Sequence, residues 1–404
     1  MNAQAAGRRT PDAPRILIRG TNWLGDAVMT TPALLRLREK FPDAHIALLT
    51  PEKLRDLWLG HPAVNETISF APGESIFSVS KKLRRWGEAA DEPALARPPT
   101  ARADHRKAGQ ATRPAGFDLA LVLPNSPRSA MEPWLAGIPK RIGYARPWRN
   151  FFLTQAIAPR PGAVEMHKRS AVEIQILISQ TSDTRHQTPA SAHQIHEYLH
   201  LVAALGANPE PLAPQLFVAP DEIEAVKRRF GLEKITQPIF GLNPGAEYGP
   251  AKRWPVERFI AAVQEIQNRT NCVWLIFGGQ NDEAVADKIQ SAIGNRPSAI
   301  LNFAGKTSLR ELMSLLKLCR VLLTNDSGPM HVAAALGTPV VVPFGSTSPE
   351  LTGPGLPGDS RNRLLKSDAP CSPCFLRECP IDFRCLNGIS VERVVQAAVE
   401  AVKS

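Results

Sequence analysis

The 404-residue chain has no run of roughly 18 consecutive apolar residues, the length a membrane-spanning helix needs, so no transmembrane helix is predicted. Residues 1–14 lack the apolar stretch of a signal peptide, which predicts a cytoplasmic chain with reduced cysteines. Aromatic residues make up only 6% of the chain, and no stretch interleaves them with basic residues in the manner of a nucleic-acid groove. A nucleic-acid partner is therefore not expected. No GxGxxG turn follows a strand pattern and opens a helix, and no GxxxxGK[ST] loop is present, which argues against a dinucleotide dehydrogenase and a P-loop NTPase. No solenoid-type repeat appears. Four of the six cysteines crowd into one stretch, Cys371, Cys374, Cys379 and Cys385, but their spacing is not that of paired CxxC ligands. They read as a compact loop of thiols, and neither a metal nor a cofactor is predicted.

What remains is a globular composition, 43% apolar and 21% charged, with length enough for two cores. The formal net charge of +10 suits an anionic partner, but a solvated basic surface is the simpler account of the charge alone. The densest basic block is Lys81-Lys82-Leu83-Arg84-Arg85. It falls where Ile76, Val79, Leu83 and Trp86 follow helical spacing, so residues 75–87 are expected to form an amphipathic helix. Its apolar stripe should pack on a sheet, leaving the charges open to anionic lipid.

Strands and helices alternate along the chain. Residues 15–20, 45–50, 66–70 and 117–123 read as strands, with a helix from Pro32 to Phe41 after Thr31. Residues 88–116 and 180–193 read as polar insertions, and 208–214 as a proline-rich linker. A second series follows, with strands at 239–243, 273–277, 321–324 and 340–342 and a final amphipathic helix at 389–403. The expected fold is α/β, with two Rossmann-like domains facing a cleft: 15–207 and 215–388, after an N-terminal segment 1–14 without structure.

The most telling stretch is VLLTNDSGPMHVAAALGTPVVVP, residues 321–343: strand, tight turn, Ala-rich helix, strand. A helix entered through Asp326-Ser327-Gly328 offers free N–H groups and a positive dipole end at a strand's carboxyl edge, which favours a phosphorylated ligand. His331 falls in that helix's first turn, as a ligand contact or as an ordinary polar residue. Asp26, between the first strand and helix, suits a general base, although spacing alone favours a helical cap whose pKa the helix terminus would lower. Lys252, in the loop after the strand at 239–243, can neutralise a diphosphate. Glu283, after the Gly278-Gly279 turn, can reach a ribose hydroxyl or simply favour a helix start.

These pieces together resemble the lipopolysaccharide heptosyltransferases. The matching segments are RGTNWLGDAVMTTPALLRLR, LVLPNSPRSA, GIPKRIGY, LNPGAEYGPAKRWP, NFAGKTSLRELMSLL and LTNDSGPMHVAAALGTPVVVPFGSTSP, with the cysteine loop CSPCFLRECP. The resemblance runs from about Arg15 to the C-terminus, broken by the two insertions. It implies a GT-B glycosyltransferase fold, an N-terminal acceptor domain, a C-terminal nucleotide-sugar domain, and a last helix (389–404) returning to the N-terminal domain. It implies inverting, metal-independent transfer of L-glycero-D-manno-heptose from its ADP donor to the first heptose of a lipid A–Kdo–heptose acceptor, with transient contact at the inner-membrane surface. In that frame Asp26 is the base and Lys252 stabilises the leaving diphosphate. Asp326, Ser327, Gly328, His331, Glu283, Lys306 and Thr307 hold the donor, while Asn125, Ser126 and Arg141 are candidates for the acceptor. A heptosyltransferase acting at another position, or a nucleotide-sugar 2-epimerase of similar architecture, is the competing reading.

Overall fold

In a computed structural model, residues 13–89, 116–179, 189–293 and 299–402 are described. The N-terminal segment through residue 12 and most of the two insertions, 90–115 and 180–188, lie outside the described residues.

Apolar runs too short for a helix build two parallel sheets. The first contains β1 (Arg15–Arg19), β2 (His45–Pro51), β3 (Glu66–Phe70), β4 (Leu119–Val122), β5 (Lys140–Tyr144) and β6 (Gln155–Ile157), in the order β3-β2-β1-β4-β5-β6. The second contains β7 (Ile239–Asn243), β8 (Val273–Ile276), β9 (Ile300–Asn302), β10 (Val321–Thr324), β11 (Val340–Pro343) and β12 (Arg363–Leu365), in the order β12-β11-β10-β7-β8-β9. Every strand pair is parallel. The central strands are buried on both faces, hence their near-continuous Val, Ile and Leu content. In each sheet the strand order reverses once, between β1 and β4 and between β7 and β10. Ligands in such sheets bind at the carboxyl ends of the strands flanking that reversal. The expected α/β architecture of two doubly wound sheets is what the chain forms.

The helix at Ile76–Ala89 packs its Val79 and Leu83 into the core of Leu17, Ala47, Leu49, Phe117 and Ala120. Trp86 stacks on Phe117 at 4.2 Å between ring centroids and donates to Glu66 (2.7 Å). The apolar stripe is thus spent on the sheet, as its spacing suggests.

Two domain expectations need correction. The chain divides into compact units that do not part at 208–214: Thr21–Lys40 and Lys53–Ala63 belong with Arg160–Ser404, leaving residues up to Gly20, Phe41–Glu52 and Val64–Pro159 as the other unit. Side-chain size explains this. The helix Leu24–Met29 sits so close to the helix Gly328–Ala335 that a Cβ on Gly328 would stand 2.8 Å from Leu24 Cδ2. The last helix, Val391–Ala401, packs on the second sheet and the helix Val256–Thr270, with Val394, Val395 and Ala398 in one core with Phe259, Val341 and Leu386. Its apolar face finds its complement there, and the return to the first domain implied by the resemblance is not what it does.

Candidate active site

The reversal between β7 and β10 ends in polar residues that tie two loops together. Asn243, the last residue of β7, donates to Thr324 Oγ1 (3.3 Å) and Ser327 Oγ (3.2 Å). Asn325 is fully buried; its Oδ1 accepts from the Trp254 N–H (2.9 Å) and its Nδ2 donates to the Pro244 carbonyl (2.6 Å). With its neighbours fixed, Asp326 has little freedom. It is 4% exposed, lies 2.6 Å from Lys252 Nζ and accepts from the Thr347 hydroxyl. Lys252 closes the short turn Pro250–Lys252, and its ammonium also lies 4.9 Å from the Tyr248 ring centre. A buried charge is tolerated when paired and hydrogen-bonded, and this pair meets both conditions.

The helix Gly328–Ala335 begins beside this pair. Ser327 precedes it in an extended conformation, and its hydroxyl makes no cap bond, being held by Asn243. The helix terminus keeps its positive end without a capping side chain, which favours an anion.

Asp26 enters from the helix Leu24–Met29, as its third residue. It is not the cap: Trp23 holds that position, without a side-chain bond. Asp26 Oδ1 accepts from Gln194 Nε2 at 3.4 Å, and Gln194 also donates to the Tyr198 hydroxyl at 2.9 Å. Burial pushes the Asp26 carboxyl up to about 6, against the opposing pull of the Gln194 bond and the Lys252 charge. The helix terminus does not prevail, because the carboxylate loses more hydration than the dipole returns. Gly25 lets the two helices meet, since a Cβ there would stand 2.7 Å from His331 Cδ2. His331 is 5% exposed, and burial lowers its pKa to about 4, with Asp326 opposing. It is neutral at physiological pH.

These groups line one cavity of about 800 Å³, the size of a small-molecule site. Of the sequence candidates, Asp26, Lys252, Thr307, Asp326, Ser327, Gly328 and His331 are on its wall. Glu283 and Lys306 are not: the Glu283 carboxylate packs against Gly305, and Lys306 Nζ donates to the Asn302 carbonyl (3.0 Å). Asn125, Ser126 and Arg141 belong to the first unit and have local partners. Asn125 accepts from Arg149, Ser126 caps the helix Pro127–Leu135, and Arg141 donates to the carbonyls of Phe152 (2.7 Å) and Ile138 (2.5 Å).

Sequence reasoning passed over Trp23, Gln194, Tyr248 and Thr347, all on the cavity wall. Thr347 follows β11 and was findable from the rule that ligands sit beyond strand ends. Trp23 is 51% exposed three residues before Asp26, and an exposed tryptophan beside a candidate base is itself a signal. Gln194 carries no local pattern. Its role arises only when the helix Ile195–Ala203 brings it to Asp26. The cysteines are free thiols, and among the described residues no group of three or more His, Cys, Asp or Glu is arranged to hold a metal ion.

The sequence model of glycosyltransferase family 9 (heptosyltransferase) matches residues 151–383. The chain is 30% identical to lipopolysaccharide heptosyltransferase 2 of Escherichia coli strain K12 over 348 residues, covering 84% of this chain and 85% of that one. The chain belongs to glycosyltransferase family 9. It is likewise 29% identical to lipooligosaccharide heptosyltransferase 2 of Haemophilus ducreyi over 352 residues, 84% of this chain and 86% of that one. Among solved structures, E. coli ADP-heptose lps heptosyltransferase II superposes with a TM-score of 0.70 at 26% identity, covering 96% of this chain and 98% of that one. A family 9 glycosyltransferase from Veillonella parvula shares the fold, with a TM-score of 0.71 at 21% identity, covering 97% of this chain and 98% of that one. Membership decides between the competing readings in favour of a transferase and against an epimerase. Transfer of a glycosyl group to a hydroxyl is helped by a base at that hydroxyl and by positive charge at an anionic leaving group. Asp26 has the chemistry for the first, and Lys252 with the amino end of the Gly328–Ala335 helix has the chemistry for the second.

Proposed function

We propose that the chain transfers L-glycero-D-manno-heptose from ADP-heptose to the first heptose of the lipopolysaccharide inner core, with inversion. The observation that carries this reading is the meeting, in one cavity, of a carboxylate titrating near 6, a buried Lys252–Asp326 pair and an uncapped helix terminus. The acceptor hydroxyl oxygen attacks the anomeric carbon, and the bond from that carbon to the β-phosphate oxygen breaks. Asp26 takes the hydroxyl proton. Lys252 and the helix N–H groups meet the charge that develops on ADP, while Asp326 orients the lysine and faces the heptose.

The adenosine end runs along Gly278–Asn281, Thr307–Leu309 and Leu312 on the cavity wall. Glu283 and Lys306 flank that end and reach it by leaving their present partners. Asn125, Ser126 and Arg141 serve the acceptor side. The enzyme works in the cytoplasm, and the acceptor's lipid brings it to the inner-membrane surface. Among the described residues no helix is long and apolar enough to cross a membrane, so that contact would be peripheral.

The test mixes purified protein, ADP-heptose and defined acceptors carrying no heptose or one heptose, with products read by mass. The expected result is addition of one heptose to the one-heptose acceptor alone. Transfer to the heptose-free acceptor, or to neither, contradicts the reading.

A further inference from the structure

The first unit exposes large aromatic side chains that its own fold does not use. Trp148 is 90% exposed, Phe151 78%, Phe77 75% and Trp134 38%. Trp134 and Phe151 form one cluster with Phe152. Trp134 contacts Phe151 and Phe152 with ring centroids 6.0 and 5.3 Å apart, and Phe151 meets Phe152 at 5.4 Å. Trp148 stands three residues before Phe151, at the tip of a turn held by the Arg146 N–H donating to Asn150 Oδ1 (2.9 Å). Its φ is +62°, a conformation costly for a bulky residue and retained here with the indole in water. An exposed aromatic cluster with a fully exposed tryptophan three residues away in sequence marks an interaction surface.

Cations border the aromatics. Phe77, Lys81 and Arg84 recur at helical spacing along one face of the helix Ile76–Ala89, with Arg85 beside them. Arg84 Nε donates to the Leu135 carbonyl (3.0 Å), fixing that face next to Trp134, and Lys140 lies exposed at the start of β5. The neighbouring acids are already engaged: Glu74 binds Lys82 (2.8 Å), and Glu132 is buried against Arg19 (2.7 Å). Lys81, Arg85 and Lys140 pair with no carboxylate among the described residues. Tryptophan and phenylalanine settle at the headgroup level of a bilayer, and lysine and arginine near them meet anionic headgroups. This is the composition of a surface that lies on a membrane.

We propose that this face of the first unit docks on an anionic lipid bilayer, with Trp134, Trp148 and Phe151 entering the headgroup region and Lys81, Arg84, Arg85 and Lys140 meeting lipid phosphates. The inference deepens the reading of a lipid-borne acceptor and rests on it for purpose, but the binding itself is measurable without substrate.

The experiment is cosedimentation of the full chain with phosphatidylcholine vesicles, with and without phosphatidylglycerol, at low and high salt. Binding is expected only to the phosphatidylglycerol vesicles, and it should fall at least about tenfold at high salt. The variants Trp148→Ser/Phe151→Ser and Lys81→Glu/Arg85→Glu should each lose about tenfold in vesicle affinity, with near-ultraviolet circular dichroism unchanged. With a water-soluble acceptor, both variants should keep wild-type turnover, which separates this surface from the assignment of the reaction. Absence of binding to anionic vesicles at low salt overturns the proposal. So does undiminished binding by the aromatic variant, or a wild-type dimer that the aromatic variant dissolves, because a second copy would then be the occupant.

Discussion

Replacing Asp26 with asparagine should stabilise the protein, and only where the native carboxyl is ionised. The usual carboxylate value of 3.8 is raised to about 6 in the fold. The folded state therefore holds the proton more tightly than the unfolded chain does, and stability falls as pH climbs from about 4 to 6. Above 6 the penalty is complete. A rise of this size corresponds to about 3 kcal/mol against the ionised form. Asp26 is half-buried, so solvent screening reduces the realised figure to roughly 1–2 kcal/mol. The asparagine side chain is isosteric, keeps an acceptor for Gln194 and carries no charge. At pH 8 the melting temperature of the Asp26→Asn variant should exceed that of the wild type by roughly 3–6 °C. The gap should narrow below pH 6, shrink to about a third by pH 4.5 and nearly close by about 3.5. Thermal melts of both proteins across this range, followed by circular dichroism, are the assay. Equal melting temperatures at pH 8, or a gap that widens on acidification, would refute the claim that burial controls this carboxyl.

Other expectations follow from the same geometry. Transfer rate should rise with pH on a limb centred near 6, because the base works ionised, and His331, lowered to about 4, should add no limb near 6.5; a pH–rate profile flat from 5 to 8 would contradict this. Gly25→Ala would place a methyl 2.7 Å from His331 Cδ2, so it should lower stability by about 1–3 kcal/mol and reduce transfer, whereas the His331→Ala/Gly25→Ala pair should regain stability. Lys252→Met strands the buried Asp326 carboxylate; it should weaken ADP binding at least tenfold in calorimetry and cost about 2–4 kcal/mol of stability in denaturant titration. Gln194→Leu removes a bond that holds the Asp26 pKa down, so the acidic limb should move to higher pH.

The sequence was most legible where one physical rule governs a long segment. Buried parallel strands such as Val321–Thr324 and Val340–Pro343 announce themselves as apolar runs, and the Ser327-Gly328-Pro329 entry marks the helix start. Gly337, with φ of +84°, ends that helix as its position suggests. The three-residue strands Gln155–Ile157, Ile300–Asn302 and Arg363–Leu365 were not legible: they are edge strands too short for periodicity and partly polar. The helix Leu24–Met29 was hidden because its first residues carry glycine and aspartate, which read as a turn. The site divided along the same line. Asp326 sits just past a strand end and Lys252 in the loop that follows another, both of which the pattern reveals, whereas Gln194 meets Asp26 across 168 positions of sequence, and its contribution exists only in the folded chain.

If Asp26 is the base, it acts in the chemical step of the heptosyl transfer and not in holding the donor. Single-turnover transfer by wild type and Asp26→Asn at pH 8, with ADP affinity measured on the same samples, tests it most directly. For Asp26→Asn, ADP affinity should stay within about twofold of wild type while the transfer rate falls by about 10²–10⁴. Transfer at the wild-type rate, or a loss of ADP binding that matches the loss of rate, would contradict it.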